Sequence, residues 1–199
     1  LAARDGHAEL LTRLDAVLSP CRHHCAYLER WGPPQLRAQP LFAADYHYFH
    51  EPGGSLPASP MRPWAPTPAS PHRFVTLVSP SVAKGLPVLL ALARRMRSVD
   101  FAAVPTGWTD ERTRAKLESE PNIRILAPSA DADDIFRQPR VLLAPALWQE
   151  CCPLIVGEAL LRGIPCVSSD VNGVPEANLY SKLVVHASLA FDHARGELV

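Results

Sequence analysis

A parallel, doubly wound α/β sheet is the fold class this sequence predicts, and three observations predict it. From residue 74 onward short β-branched runs alternate with helical patterns, the alternation that βαβ crossovers require. The runs are almost wholly apolar, as strands covered on both faces must be. The joins carry helix punctuation. In order, strands are expected at Phe74 to Val78, Phe101 to Val104, Ile123 to Leu126, Val141 to Ala144, Cys166 to Ser169 and Leu183 to Val185. Helices are expected between them at about Pro87 to Arg97, Asp110 to Ser119, Ala132 to Gln138, Leu154 to Arg162 and Val174 to Tyr180. Pro87 and Pro153 suit first helical positions, Asp131 suits an N-cap, and Gly163 closes a helix before Pro165.

The first fifty residues read differently. They offer a strand at Ala16 to Leu18, a helix over about Arg22 to Trp31 and an extended piece near Leu41-Phe42. One β-α-β unit of that size cannot keep a core of its own. It is expected to dock on the rest or to end a larger N-terminal domain. Between Glu51 and Pro71, seven prolines and Gly53-Gly54 read as an extended linker. The expected organisation is therefore 1–50, a linker over 51–71, and a main domain over 72–199.

Composition narrows the function. The 199 residues are 47% hydrophobic with 20 basic and 20 acidic side chains, enough for one full core and too balanced for a nucleic-acid partner. No apolar run reaches the roughly 18 residues of a membrane span, and the first residues lack a signal-peptide plan; the sequence leaves the compartment unknown, a cytoplasm-facing setting being the expectation. The chain does not start with Met. Five cysteines, two of them adjacent, argue against a disulfide framework.

Chemistry concentrates where the strand ending at Ala144 turns through Pro145-Ala-Leu-Trp-Gln-Glu-Cys-Cys into the helix near Pro153. The carboxyl ends of parallel strands collect helix N-termini with unpaired N–H groups, and ligands bind there. Glu150 stands in the turn and Glu158 about one turn into the helix, so they can reach different parts of one extended ligand. Carboxylates accept hydrogen bonds from sugar hydroxyls, and a nucleotide-sugar fits. Lys84 sits in the loop joining the domain's first strand and helix, Ser79-Pro-Ser-Val-Ala-Lys-Gly85, at the same edge. Gly173, in Asp170-Val-Asn-Gly-Val-Pro-Glu176, lets its loop approach a ligand closely, and Glu176 can pin that loop. Leu126-Ala-Pro128 ends a strand at the same edge as a lip for a base pocket.

The stretch from Pro145 to Glu176 resembles the donor-binding core of retaining group-1 (family 4) glycosyltransferases of two-lobed GT-B architecture: Glu150, seven residues, Glu158-Ala159, then Gly163-Ile-Pro165-Cys-Val and Gly173-Val-Pro-Glu176. The resemblance covers roughly residues 72 to 190 and implies a Rossmann-like C-terminal lobe, with the first fifty residues as the closing β-α-β remnant of the acceptor lobe. It implies transfer of a hexosyl group from a nucleoside diphosphate sugar to an acceptor hydroxyl with retention. Glu158 matches the glutamate that holds the ribose, Glu150 the one near the donor sugar, and the amides around Pro153, Leu154 and Ile155 face the phosphates. Lys84 matches the lysine before glycine that neutralises the departing diphosphate, so Lys84 and Glu150 are the expected catalytic pair, and no metal or cofactor is called for. An arginine common just before that lysine is replaced by the Ser79-Pro80 region; Cys152, Pro153 and Ala146 depart from the usual aromatic, glycine and serine.

Other readings compete. Glu158 on a solvated helix, Lys84 in a polar loop, Gly173 in a tight turn and Trp148 as filler are the bland versions. Cys21-Arg-His-His-Cys25 places two thiols on one helix face, where inward packing outweighs a zinc site. Cys151-Cys152 beside a helix start could be nucleophilic, but no histidine stands within that motif. The alternative function is a catalytically inactive GT-B-like nucleotide-sugar-binding or interaction domain. An unrelated doubly wound module, of phosphorelay or flavodoxin-like type, would instead place acidic or flavin chemistry at other strand ends.

Overall fold

The computed structural model describes residues 5–41, 73–107, 109–178, 183–187, 191–192 and 197–198; the expected linker over 51–71 lies outside them. Six parallel strands, β3 (Phe74–Val78), β4 (Phe101–Val104), β5 (Ile123–Ile125), β6 (Pro139–Ala144), β7 (Cys166–Ser169) and β8 (Val184–Val185), form one sheet in the order β5-β4-β3-β6-β7-β8. The chain winds outward from β3 to β5, returns across the sheet, and winds outward again from β6 to β8. Strand order therefore reverses between β3 and β6, whose register runs from Phe74↔Pro139 to Thr76↔Leu142. The loops after β3 and β6 diverge there and leave a crevice.

Helices α3 (Leu86–Arg95), α4 (Glu111–Glu118), α5 (Ala132–Phe136), α6 (Leu154–Leu161) and α7 (Val174–Ala177) connect or follow these strands. Side chains alternate along each strand, so neighbours serve different cores. Leu143 joins Leu77, Leu86, Leu89, Phe101 and Leu117 in one cluster, while Leu142 joins Phe136, Val156, Ile164 and Cys166 in another. Burying each such side chain contributes roughly 1.5–3 kcal/mol. Burial also pushes the Cys166 thiol up to about 12.

Local chemistry sets the ends. Gly85 is the N-cap of α3 with φ +91°, which moves Pro87 to the second helical position. Pro153 is the N-cap of α6 rather than its first residue. Asp131 caps α5 by accepting from Asp133 N at 2.8 Å. α5 stops at Phe136, short of Gln138, because Gln138 precedes Pro139 and that position disfavours helix. α7 stops at Ala177, short of Tyr180: the Asn178 side chain donates to Cys166 O at 3.0 Å and to Ser168 Oγ at 2.8 Å and draws the chain onto β7.

In the N-terminal unit, β1 (Val17–Ser19), α2 (Arg22–Trp31) and β2 (Ala38–Pro40) form a parallel β-α-β. β2 lies just before the expected Leu41-Phe42, since Val17 pairs with Ala38 once buried Leu36 has turned the chain after Gly32. A helix α1 (Asp5–Thr12) and a short antiparallel pair, β9 (Phe191–Asp192) with β10 (Glu197–Leu198), were not anticipated. Among the described residues no helix is long and apolar enough to cross a membrane.

Candidate functional site

The crevice between β3 and β6 is built by two loops that touch at glycine. A Cβ on Gly85 would overlap the Pro145 carbonyl oxygen, so the absence of a side chain lets the start of α3 lie against the β6 loop. Leu147 N donates to Ala83 O at 2.8 Å and ties the loops again. Ser169 Oγ donates to Ala146 O at 2.7 Å in a buried bond, and Gly173 N donates to Glu150 O at 3.0 Å. Residues 145–150 are thus held from β7 and from the loop after it.

This scaffold brings Lys84 and Glu150 into direct contact, Nζ donating to Oε1. The carboxylate side chain is 17% exposed and the lysine 42%, so the pair stands at a wall with one side open to water. Beneath it lies a pocket of about 40 Å³ whose lining includes Lys84, Glu150, Pro153, Ile155, Ala146 and Val174. The N–H groups of Leu154 and Ile155, at the start of α6, have no acceptor within the helix. Pro153 has no N–H to offer. The pair, these two amides and the α6 dipole present donors for an anion beside an acceptor for a hydroxyl.

Glu158 does not line the pocket. It lies one turn into α6, its carbonyl accepting from Arg162 Nη1 at 3.0 Å. Arg162 in turn pairs with Asp133 and stacks 4.6 Å over Phe136. Gly173 sits at the loop after β7, with Cys151 O where its Cβ would be. Ser79, in the region of the missing arginine, has φ +58° and shares a 2.8 Å hydrogen bond with Thr106 Oγ1, so no second cation comes from there. Among the described residues no three His, Cys, Asp or Glu side chains are grouped to hold a metal; Cys21 caps α2 and Cys25 packs inward.

Residues 73–192 match the family described as glycosyl transferases, group 1. The chain belongs to this family. A search of curated proteins finds no match. Among solved structures, a glycosyltransferase from Rickettsia africae ESF-5 superposes with a TM-score of 0.65 at 11% identity, over 98% of this chain and 55% of that one. Anabaena Alr3699/HepE in complex with UDP and glucose gives 0.61 at 16% identity, over 86% and 49%. WaaG, a glycosyltransferase involved in lipopolysaccharide biosynthesis, gives 0.56 at 16%, over 89% and 50%. The chain spans about half the length of each. At these identities the likeness speaks for the fold, a Rossmann-like lobe of GT-B type.

Two features of this group-1 glycosyltransferase lobe escaped sequence reasoning. Glu176 accepts from Arg22 N and His23 N, both at 2.8 Å, and so closes the N-terminus of α2 in the other unit. Asp170, at the end of β7, binds Ala187 N and His186 Nδ1, and these bonds hold its carboxyl below the usual aspartate range, the Ala187 N–H contributing most. Nothing local in the sequence announces that pair.

Proposed function

We propose that this chain carries the donor-binding lobe of a retaining hexosyltransferase, which takes a hexosyl group from a nucleoside diphosphate sugar and passes it to an acceptor hydroxyl. The observation that carries the reading is the contact of Lys84 with Glu150 beside the N-terminus of α6, at the point where strand order reverses. That UDP and UDP-glucose occupy the Anabaena protein of like fold supports a nucleotide-sugar donor. Residues 72–199 are the donor lobe, 51–71 a linker, and 1–50 the closing β-α-β of an acceptor lobe. The Rickettsia glycosyltransferase superposes over 98% of this chain, so both parts belong to one such fold.

In this reading the diphosphate lies over α6. The N–H groups of Leu154 and Ile155 bind it, and Lys84 leaves Glu150 to neutralise the charge that grows on it as the anomeric C–O bond breaks. Glu150 accepts from a donor-sugar hydroxyl, and Glu158, one turn further along α6, takes the ribose hydroxyls. Gly173 seats the loop after β7 against the Cys151 backbone and, through its N–H to Glu150 O, holds the loop that carries Glu150. The departing phosphate takes the acceptor proton. The other half of the protein positions the acceptor and excludes water, so this chain alone binds donor and transfers sugar poorly.

Calorimetry against a panel of nucleoside diphosphates tests the reading. One of them should bind, and Lys84→Ala should weaken it at least tenfold, since a charge-assisted hydrogen bond contributes about 1.5–3 kcal/mol. Glu150→Gln should leave the bare diphosphate bound as tightly or more so, because a neighbouring carboxylate is removed, while weakening the sugar nucleotide. A panel with no binder, or equal loss of both ligands in Glu150→Gln, would contradict the assignment. The reading as a non-catalytic binding domain is favoured by one observation, the Ser79–Thr106 bond standing where a second cation is usual. It predicts the same binding with no transfer from the full-length protein.

A further inference from the structure

Two thiols, one from each unit of the chain, meet at one histidine. Cys21, at the N-cap of α2, is 1% exposed, and its Sγ accepts from His24 N at 3.3 Å. Cys151 follows Glu150 in the β6 loop, is exposed, and has its Sγ 3.8 Å from Nδ1 of the same His24. One histidine therefore contacts both thiols, one through its backbone and one through its ring. Gly173 explains how they come so near: a Cβ there would overlap the Cys151 carbonyl oxygen and stand 2.9 Å from Cys21 Sγ. The Cys151 backbone and the Cys21 sulfur both lie against Gly173, which has no side chain to hold them off. Both are free thiols.

We propose that Cys151 and Cys21 are a peroxide-oxidisable pair that closes to a disulfide between the start of α2 and the loop carrying Glu150. The division of labour follows from exposure. Cys151 is open to solvent beside an imidazole that can take its proton, so it attacks. Its sulfur bonds to one peroxide oxygen, the O–O bond breaks, and the other oxygen leaves as water or alcohol after gaining a proton, which leaves a sulfenic acid. Cys21 then resolves it. Its sulfur attacks the Cys151 sulfur, the S–O bond breaks, and the hydroxide leaves as water with the Cys21 proton. Two electrons pass from the two thiols to one hydroperoxide. Burial above all, with the nearby Cys151, Glu176 and Cys152 adding to it, pushes the Cys21 thiol up, which suits a sulfur that waits for an electrophile to be delivered rather than one that meets peroxide itself. Closure needs the sulfurs to come to about 2.05 Å, a movement that the exposed 151 position allows. The thiol chemistry does not depend on the function proposed above.

Peptide mapping without reductant, after hydrogen peroxide near equimolar to protein and blocking of remaining thiols, decides it. The expected result is a linked pair of peptides containing Cys21 and Cys151, about 2 Da lighter than their sum and separated by dithiothreitol. The link should vanish in Cys21→Ser and Cys151→Ser, persist in Cys152→Ser, and form several-fold more slowly in His24→Gln. A Cys151–Cys152 bridge in its place, sulfinic acid on Cys151 with no link, or peptides left unlinked would overturn the proposal. The wild-type map carries the decision alone, so a variant that fails to fold does not rescue it.

Discussion

Glu120 shows how a single side chain holds position in this lobe. It lies in the turn before β5, with a side chain only 6% exposed, and both Arg94 and Arg97 from the end of α3 reach it. The Arg94 hydrogen bond first, then the charges of both arginines, holds its carboxyl below the usual glutamate value. Because the folded value is depressed, the stabilisation is present above the unfolded value, about 4.3, and is lost as pH falls through the lower folded value. Urea midpoints measured from pH 7 down to pH 3 should therefore fall more steeply below about pH 4.3 in wild type than in Glu120→Gln; parallel curves would show that the arginines do not act through its charge. At this scale the sequence showed residue types and little else. That Lys84 and Glu150 each stand in a loop at a strand end was legible, yet their direct contact was not, since it depends on where two loops fall across the sheet.

Among the elements, α3 depends most on one residue. Gly85 is held at φ +91° against Pro145, a conformation and a closeness that only glycine meets cheaply. Gly85→Ala should cost at least about 1–3 kcal/mol, and amide exchange should rise at Leu147, whose N–H bonds to Ala83 across this junction. Unchanged stability and exchange would show that the loops are not seated on each other. Element identity was readable because Pro, Gly and Asp mark most boundaries. Two boundaries moved because distant contacts overrode local signals: Asn178 is drawn onto β7, and β2 takes its register from Val17. α1 (Asp5–Thr12) also went unread.

For the whole molecule, the join between the units rests visibly on Glu176. Its carboxylate binds two N–H groups of α2, and no pattern in either segment foretold the match. Glu176→Ala should cost about 0.5–2 kcal/mol, the range for a lost N-cap, and should speed amide exchange at Arg22 and His23 well beyond exchange in the six-stranded sheet. Equal exchange in both variants would mean that the unit is held elsewhere. The sheet's overall winding was legible from alternation alone, because parallel strands with helical crossovers have few ways to close. The docking of β1, α2 and β2 was not, as it depends on this one long-range cap and on Gly173. The crevice between β3 and β6 is the proposed anion site. Amide chemical-shift mapping during titration with UDP tests it most directly: the largest shifts should fall at Lys84, Leu154, Ile155 and Gly173, whereas shifts centred on any other strand end, or none at saturating nucleotide, would contradict it.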